Sequence, residues 1–310
     1  MATRVISQQK GVSVGGVPLE NVISVSCDAD IAAAGTDVRI FGSLARLGVN
    51  YSSDIPCTVS IGWLLWDGAN EGACGLGGVH MASEFLADPV LSEKTVIVSS
   101  GAEGADGGGG ALGGLTFNNC AVSNYSATFA VGELPSAECE LVGSSVESGG
   151  AAAAVIPNNV DGVYALKPQD VVVAIGTFGG DMFMSPTTFC AQSVSVDLPL
   201  ARENVECLGS ATPLKYVQFP VTATLTVSAN TQAYGSIDLS TITDGTRQPL
   251  VGEVSVSCAS GTGSIGFALK GASVASQSLS IGLDDAETIE TVFEAQVGGK
   301  DSTTNGLYLT

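Results

Sequence analysis

The chain has a single histidine, His80, so any Ser-His-Asp or Cys-His machinery has to be built on that residue. Its neighbours, Gly77-Gly78-Val79 before and Met81-Ala82 after, supply no catalytic partner, and His80 reads as a surface or helix-end residue. The phosphate-cradling G-x-x-x-x-G-K-[ST] loop and the H-E-x-x-H zinc helix are both absent. Two acidic groups invite a calcium reading: Asp28 with Asp30, and Asp67 with Asn70 and Glu71 in WDGANEG. Neither follows the loop in which ligands recur at alternate positions and end in a bidentate glutamate, so they read as solvated turn carboxylates. Eight cysteines, Cys27, Cys57, Cys74, Cys120, Cys139, Cys190, Cys207 and Cys258, contain no C-x-x-C pair and fall mostly on apolar strand faces, which favours free buried thiols. Trp63 and Trp66 read as core or subunit contacts, and no aromatic platform is interleaved with Lys or Arg as single-stranded nucleic acid binding requires. We therefore expect no catalytic, cofactor-binding or metal-binding residues and no enzyme.

The elements that would carry any site are strands. Hydrophobic residues make up 45% of the chain and charged ones 14%, a balance that folds, and its wealth of Val, Ile, Thr and Ser favours pleated sheet. In FPVTATLTVS (residues 219–228) Val221, Ala223, Leu225 and Val227 alternate with Thr222, Thr224, Thr226 and Ser228. Nearly the same stretch, IPCTVSIGW (residues 55–63), sets Cys57, Val59, Ile61 and Trp63 against Thr58 and Ser60. The strands upstream also recur, ISVSCDADI (residues 23–31) and QSVSVDLPL (residues 192–200), and a Gly-Ser turn follows each, at Gly42-Ser43 and Gly209-Ser210. Order, phase and turns thus predict one domain present twice, residues 1–159 and 160–310, with the boundary near Asn159.

Later segments continue the pattern. GEVSVSC (252–258), KGASVASQSLSIG (270–282) and ETIETVFEAQVGG (287–299) alternate in the second half, with KTVIVSS (94–100) and NYSATFAVGE (124–133) in comparable places in the first. Residues 101–114, GAEGADGGGGALGG, are too glycine-rich to hold a register and read as a loop. One short helix is expected over HMASEFLA, residues 80–87.

Acidic residues number 31 against 11 basic ones, a formal charge of −20 that repels phosphates and anionic membranes. The first residues, MATRVISQQKG, lack a signal-peptide core, and no apolar run reaches the ~20 residues of a membrane span, so a cytoplasmic origin is expected.

The combination QSVSVDLPLARENVECLGS, FPVTATLTVSA, KGASVASQSLSIG and TVFEAQVGGKDSTTNGLYL resembles the major tail tube proteins of long-tailed bacteriophages, over about residues 190–310. The resemblance reaches residues 20–140 through the internal repeat. It implies a mainly β chain of two tandem tail-tube-like β-sandwich domains, each with a short helix, whose inner sheets join those of neighbours into a closed barrel. The implied function is a structural virion protein: trimeric, pseudo-hexameric rings stacked around a channel for DNA, assembled in the host cytoplasm and located in the virion tail. Implied partners are other copies, terminator and distal or baseplate tail proteins, and DNA that passes without specific binding; no membrane and no cofactor are implied. The polar faces named above make Thr58, Ser60, Thr222, Thr224, Thr226 and Ser228 channel-facing candidates, with Glu290 and Glu294 as carboxylates that let a duplex slide. A capsid decoration protein or a receptor-binding β-sandwich of a virion is the alternative.

Overall fold

Alternation with a period of two becomes antiparallel sheet almost throughout the computed structural model. The structure describes residues 10–29, 35–38, 48–51, 56–87, 93–101, 111–148, 165–176, 189–205, 214–217, 220–231, 252–261, 263–280 and 288–310. The first half contains β1 (Lys10–Val14), β2 (Val17–Pro18), β3 (Val22–Ala29), β4 (Gly35–Val38), β5 (Gly48–Tyr51), β6 (Cys57–Leu64), α1 (Ala69–Ala73), α2 (Ser83–Ala87), β7 (Lys94–Gly101), β8 (Ala111–Ala130), β9 (Ser136–Gly143) and β10 (Ser145–Ser148). The second contains β11 (Val171–Ile175), β12 (Phe189–Pro199), β13 (Arg202–Val205), β14 (Leu214–Val217), β15 (Thr222–Thr231), β16 (Gly252–Ser260), β17 (Gly263–Ser280), β18 (Thr288–Gln296) and β19 (Gly306–Leu309).

Eight strands form one continuous antiparallel inner sheet in the order β3-β6-β9-β8-β12-β15-β18-β17. Only residues 121–130 of β8 and 273–280 of β17 belong to it. Their N-terminal parts run on into two outer sheets, β2-β1-β7-β8-β10 and β11-β16-β17-β19. Where each long strand crosses from outer to inner sheet, the backbone turns left-handed, at Asn119 (φ 54°) and Gly271 (φ 66°). Glycine has no Cβ to clash there, and asparagine is among the few other residues that tolerate the conformation.

The series of pairings occurs twice. β1·β7, β7·β8, β8·β10, β8·β9, β9·β6, β6·β3 and the hairpin β4·β5 match β11·β16, β16·β17, β17·β19, β17·β18, β18·β15, β15·β12 and β13·β14. The bulges match as well. One separates Val22 from Ser24 in β3 and Ala191 from Ser193 in β12; another separates Val122 from Asn124 in β8 and Val274 from Ser276 in β17. A bulge pins register, so superposing these pairs sets Ser26 against Ser195, Ser60 against Thr226 and Thr128 against Ser280. Pro56 and Pro220, which align by eye, then stand two residues out of step. An even slip keeps every side chain on its own face, which is why the sequence pattern survives it.

One face of the inner sheet is the core. Val59, Ile61, Trp63, Tyr125, Leu141, Val196, Leu225, Val227 and Phe293 are each no more than 1% exposed. Burial of side chains of this size stabilises by about 1.5–3 kcal/mol each, before entropy is subtracted.

Two expectations are revised. The helix expected over residues 80–87 shortens to α2, and α1 precedes it; Gly77 and Gly78 separate the two, while the Ser83 hydroxyl accepts from the His80 N–H (2.8 Å) to start α2. In the second half the described residues show only a 3₁₀ turn at Pro168–Asp170. Residues 101 and 111–114 are strand, with Ser99 opposite Gly114 and Ser100 opposite Gly113, because β7 supplies a partner ladder that offsets glycine's weak strand preference. The expected boundary near Asn159 lies outside the described residues.

Candidate functional site: a polar sheet face with open edges

The face of the inner sheet opposite the core is a lattice of hydroxyls and carboxylates. Cross-strand partners share a face, so the pairings read off its rows. One row runs Ser26, Ser60, Glu140, Asn124; another runs Ser126, Asp197, Thr224, Glu294, Ser273; a third joins Thr128, Ser195, Thr226 and Val292; a fourth joins Ser193, Ser228, Glu290 and Ser278. Thr58 sits between Asp28 and Val142, and Thr222 opposite Gln296. All eight candidates from the sequence therefore lie on this face. Glu290 and Glu294 are exposed, and Thr58, Ser60, Thr222, Thr224, Thr226 and Ser228 are half-buried among their neighbours.

The face also holds Asp28, which had read as a turn carboxylate, Asp197, which alternates with Val194, Val196 and Leu198, and two carboxylates that sequence reasoning missed, Glu138 and Glu140; the Ser60 hydroxyl donates to Glu138. SAECELVG carried the signal, since Ala137, Cys139 and Leu141 alternate with Glu138 and Glu140. With Glu290 and Glu294 this makes six acids, and the eight strand segments of the inner sheet contain no Lys, Arg or His. Such a surface offers a polyanion no counterion to exchange.

Among the described residues the sheet is open at both ends: β3 has a partner only in β6, and residues 273–280 of β17 only in β18. Exposed edges are ordinarily blunted by lysine, proline or covering chain. Here β3 carries one charge, Asp28, and leaves Ile23 60% exposed, and SVASQSLS of β17 carries none. In the middle of the same sheet the equivalent elements are paired: β8, counterpart of β17, lies against β12, counterpart of β3, with Ser195 opposite Thr128 and Asp197 opposite Ser126.

The residues that suggested chemistry are dispersed. Asp67 accepts from the Ala69 N–H (3.0 Å), Asn70 exchanges two hydrogen bonds with the Glu20 backbone (2.9 and 2.7 Å), and Glu71 turns inward. The Glu71 Oε1 accepts from Trp63 Nε1 and Tyr125 OH, both at 3.0 Å. Burial raises the Glu71 carboxyl above its ordinary range, and burial together with that carboxylate pushes the Tyr125 phenol well up. Asp28 is exposed on the polar face, and Asp30 lies outside the described residues. Among the described residues no group of three or more His, Cys, Asp or Glu is placed to hold a metal.

His80 differs from expectation. It is 1% exposed, with Nε2 3.1 Å from the Gly299 carbonyl and its ring edge-on to Tyr308, because the segment between β6 and β7 lies across β19 of the other half. The cysteines divide. Cys57, Cys74, Cys120, Cys139 and Cys258 are buried and in no disulfide; Cys27 and Cys190, also in no disulfide, are exposed, and Cys207 lies outside the described residues. A hydrogen bond with Cys74, reinforced by burial, pushes the Cys139 thiol well up. One serine, Ser13 in GVSVG, fits a G-x-S-x-G pattern, but β1 turns through Gly15-Gly16 into β2 rather than into a helix, and Ser13 is 3% exposed. That is not a nucleophile elbow. A groove of about 360 Å³ between β11 and the β8–β12 pair is lined by Phe129, Val131, Val172, Gln192 and neighbours, none of them ionisable.

No helix among the described residues is long and apolar enough to cross a membrane. No protein-family model matches the chain, and no curated protein matches it significantly.

Proposed function

We propose that the chain is a tube subunit: two tandem copies of one domain that close head to tail into rings, which stack around a channel for DNA as the tail tube of a long-tailed phage. The observation that carries this reading is the internal pairing of β8 with β12 in a sheet whose outer edges, β17 and β3, are the counterparts of those same strands. Repeating the internal contact between chains satisfies both edges with a heterologous interface, and such an interface either closes into a ring or runs on as a filament. It also continues the polar face unbroken from chain to chain.

The number three comes from the resemblance, in which two fused domains make three chains equivalent to six. Three sheets of eight strands give twenty-four, and at about 4.8 Å between strands and a tilt of about 40° the backbones stand roughly 48 Å apart across the barrel. A duplex fits within that width. The wall it meets is acidic and hydroxyl-rich, so phosphates find no cation to hold them and the DNA slides.

The internal register predicts the external one: Ser26 faces Ser280, and Asp28 faces Ser278, of the next chain. In a S26C/S280C variant, mild oxidation is expected to link chains into dimers and closed trimers on a denaturing gel, while S26C/S278C, two residues out of register, links poorly. Only monomers under conditions that link no pair, or equal linking by both variants, overturns the proposal.

A further inference from the structure

The outer sheets are equivalent in pairing but not in cover. The bulge-matched register sets Val98, Leu115 and Val146 of the first outer sheet against Val256, Phe267 and Leu307 of the second. The second trio is no more than 1% exposed. Leu115 is 41% exposed, and Val98 and Val146 are half-buried.

What covers Phe267 accounts for the difference. Tyr125 and Phe129, on the first half's last inner strand, stand with ring centroids 6.1 Å from it. The second outer sheet therefore reaches back over the inner strand that precedes its own half, roofing the β8–β12 junction. By pairing order the first outer sheet stands to β3 as the second stands to β12, and among the described residues no strand pairs with the outer edge of β3.

We infer that Val98, Leu115 and Val146 form a docking surface for a second copy of this chain, seating residues 273–280 of its β17. Gln277 there is the counterpart of Tyr125 and lies on the core face opposite Thr291. The inference rests on the ring reading and adds a second layer to each contact: an inner ladder from edge to edge, and an outer sheet lapped over it. The lap explains an exposed leucine at a position whose counterpart, Phe267, is core. It also gives the interface an apolar component that strand pairing alone lacks.

Two variants test the lap apart from the ring. Leu115→Glu alters a side chain already exposed in the single chain, so its melting temperature is expected to stay near wild type, while the concentration needed for rings rises about tenfold or more. In L115C/Q277C a short bifunctional maleimide is expected to join chains into dimers and trimers that neither single variant gives. Wild-type rings accompanied by normal L115E rings, with no linkage of chains in L115C/Q277C, overturn the lap and leave the ring standing. Absence of rings and higher oligomers in the wild type itself overturns both.

Discussion

If the chain is the proposed tube subunit, replacing Glu138, Glu140, Glu290 and Glu294 with lysine is expected to turn its polar face from one that repels DNA into one that holds it. In the native chain that face carries six carboxylates, these four with Asp28 and Asp197, and no base. The four substitutions leave two acids against four lysines, so the wall moves from −6 to +2 per chain. All four positions project away from the core, three of them exposed and Glu140 half-buried, so the fold is expected to persist. If each substituted position gains one phosphate contact, the slope of log affinity against log salt becomes about −3.6, and raising salt from about 50 to about 200 mM weakens binding roughly a hundredfold. The assay is fluorescence anisotropy of a short labelled duplex with assembled tubes, followed by nuclease digestion of the bound fraction. Native tubes are expected to bind nothing measurable; the variant is expected to bind with the steep salt dependence and to protect its DNA. Well-formed variant tubes that leave the duplex unbound, or bind it in a nuclease-sensitive form, would place these carboxylates on the outside and refute the channel assignment.

Three further outcomes follow from the interior. Burial raises the Glu71 carboxyl, so its contribution to stability is present below the ordinary carboxylate value and is lost as pH climbs through the folded one; Glu71→Gln keeps an acceptor for Trp63 and Tyr125 but does not titrate, and its melting temperature relative to wild type is expected to rise as pH climbs above the ordinary carboxylate range. A difference independent of pH would show that the carboxyl is not the source. Gly271→Ala forces a Cβ into left-handed backbone and hard against Asn305 Oδ1, costing about 1–2 kcal/mol for the conformation alone, whereas Asn119→Gly at the equivalent bend is expected to be nearly neutral by urea denaturation. Phe267→Ala empties a fully buried site between the halves and is expected to cost about 3–5 kcal/mol, while Leu115→Ala at the matching position costs little in the single chain.

How much of this was legible depended on what each signal measures. The strands of FPVTATLTVS and IPCTVSIGW showed because one face is core and the other wet, which imposes strict alternation. Pairing leaves no such mark: Glu138 and Glu140 were overlooked because the alternation of SAECELVG, as long as that of β6, was not matched to its counterpart TIETVFEAQ in β18. The two-residue offset of Pro56 from Pro220 was invisible for the opposite reason, since an even shift preserves the pattern being matched. His80 was misplaced because its burial comes from β19, more than two hundred residues away. Glycine between residues 111 and 114 argued against a strand until β7 supplied the partner. The open edges and the unequal cover of Leu115 and Phe267 are relations between halves and have no local signature.

The central claim is tested most directly by electron microscopy of the purified protein at high concentration, with class averages taken down the axis. The account predicts hollow, stackable rings of three-fold symmetry with six similar lobes. Discrete particles that neither close nor stack, with the β3 and β17 edges still solvent-accessible by hydrogen exchange, would contradict it.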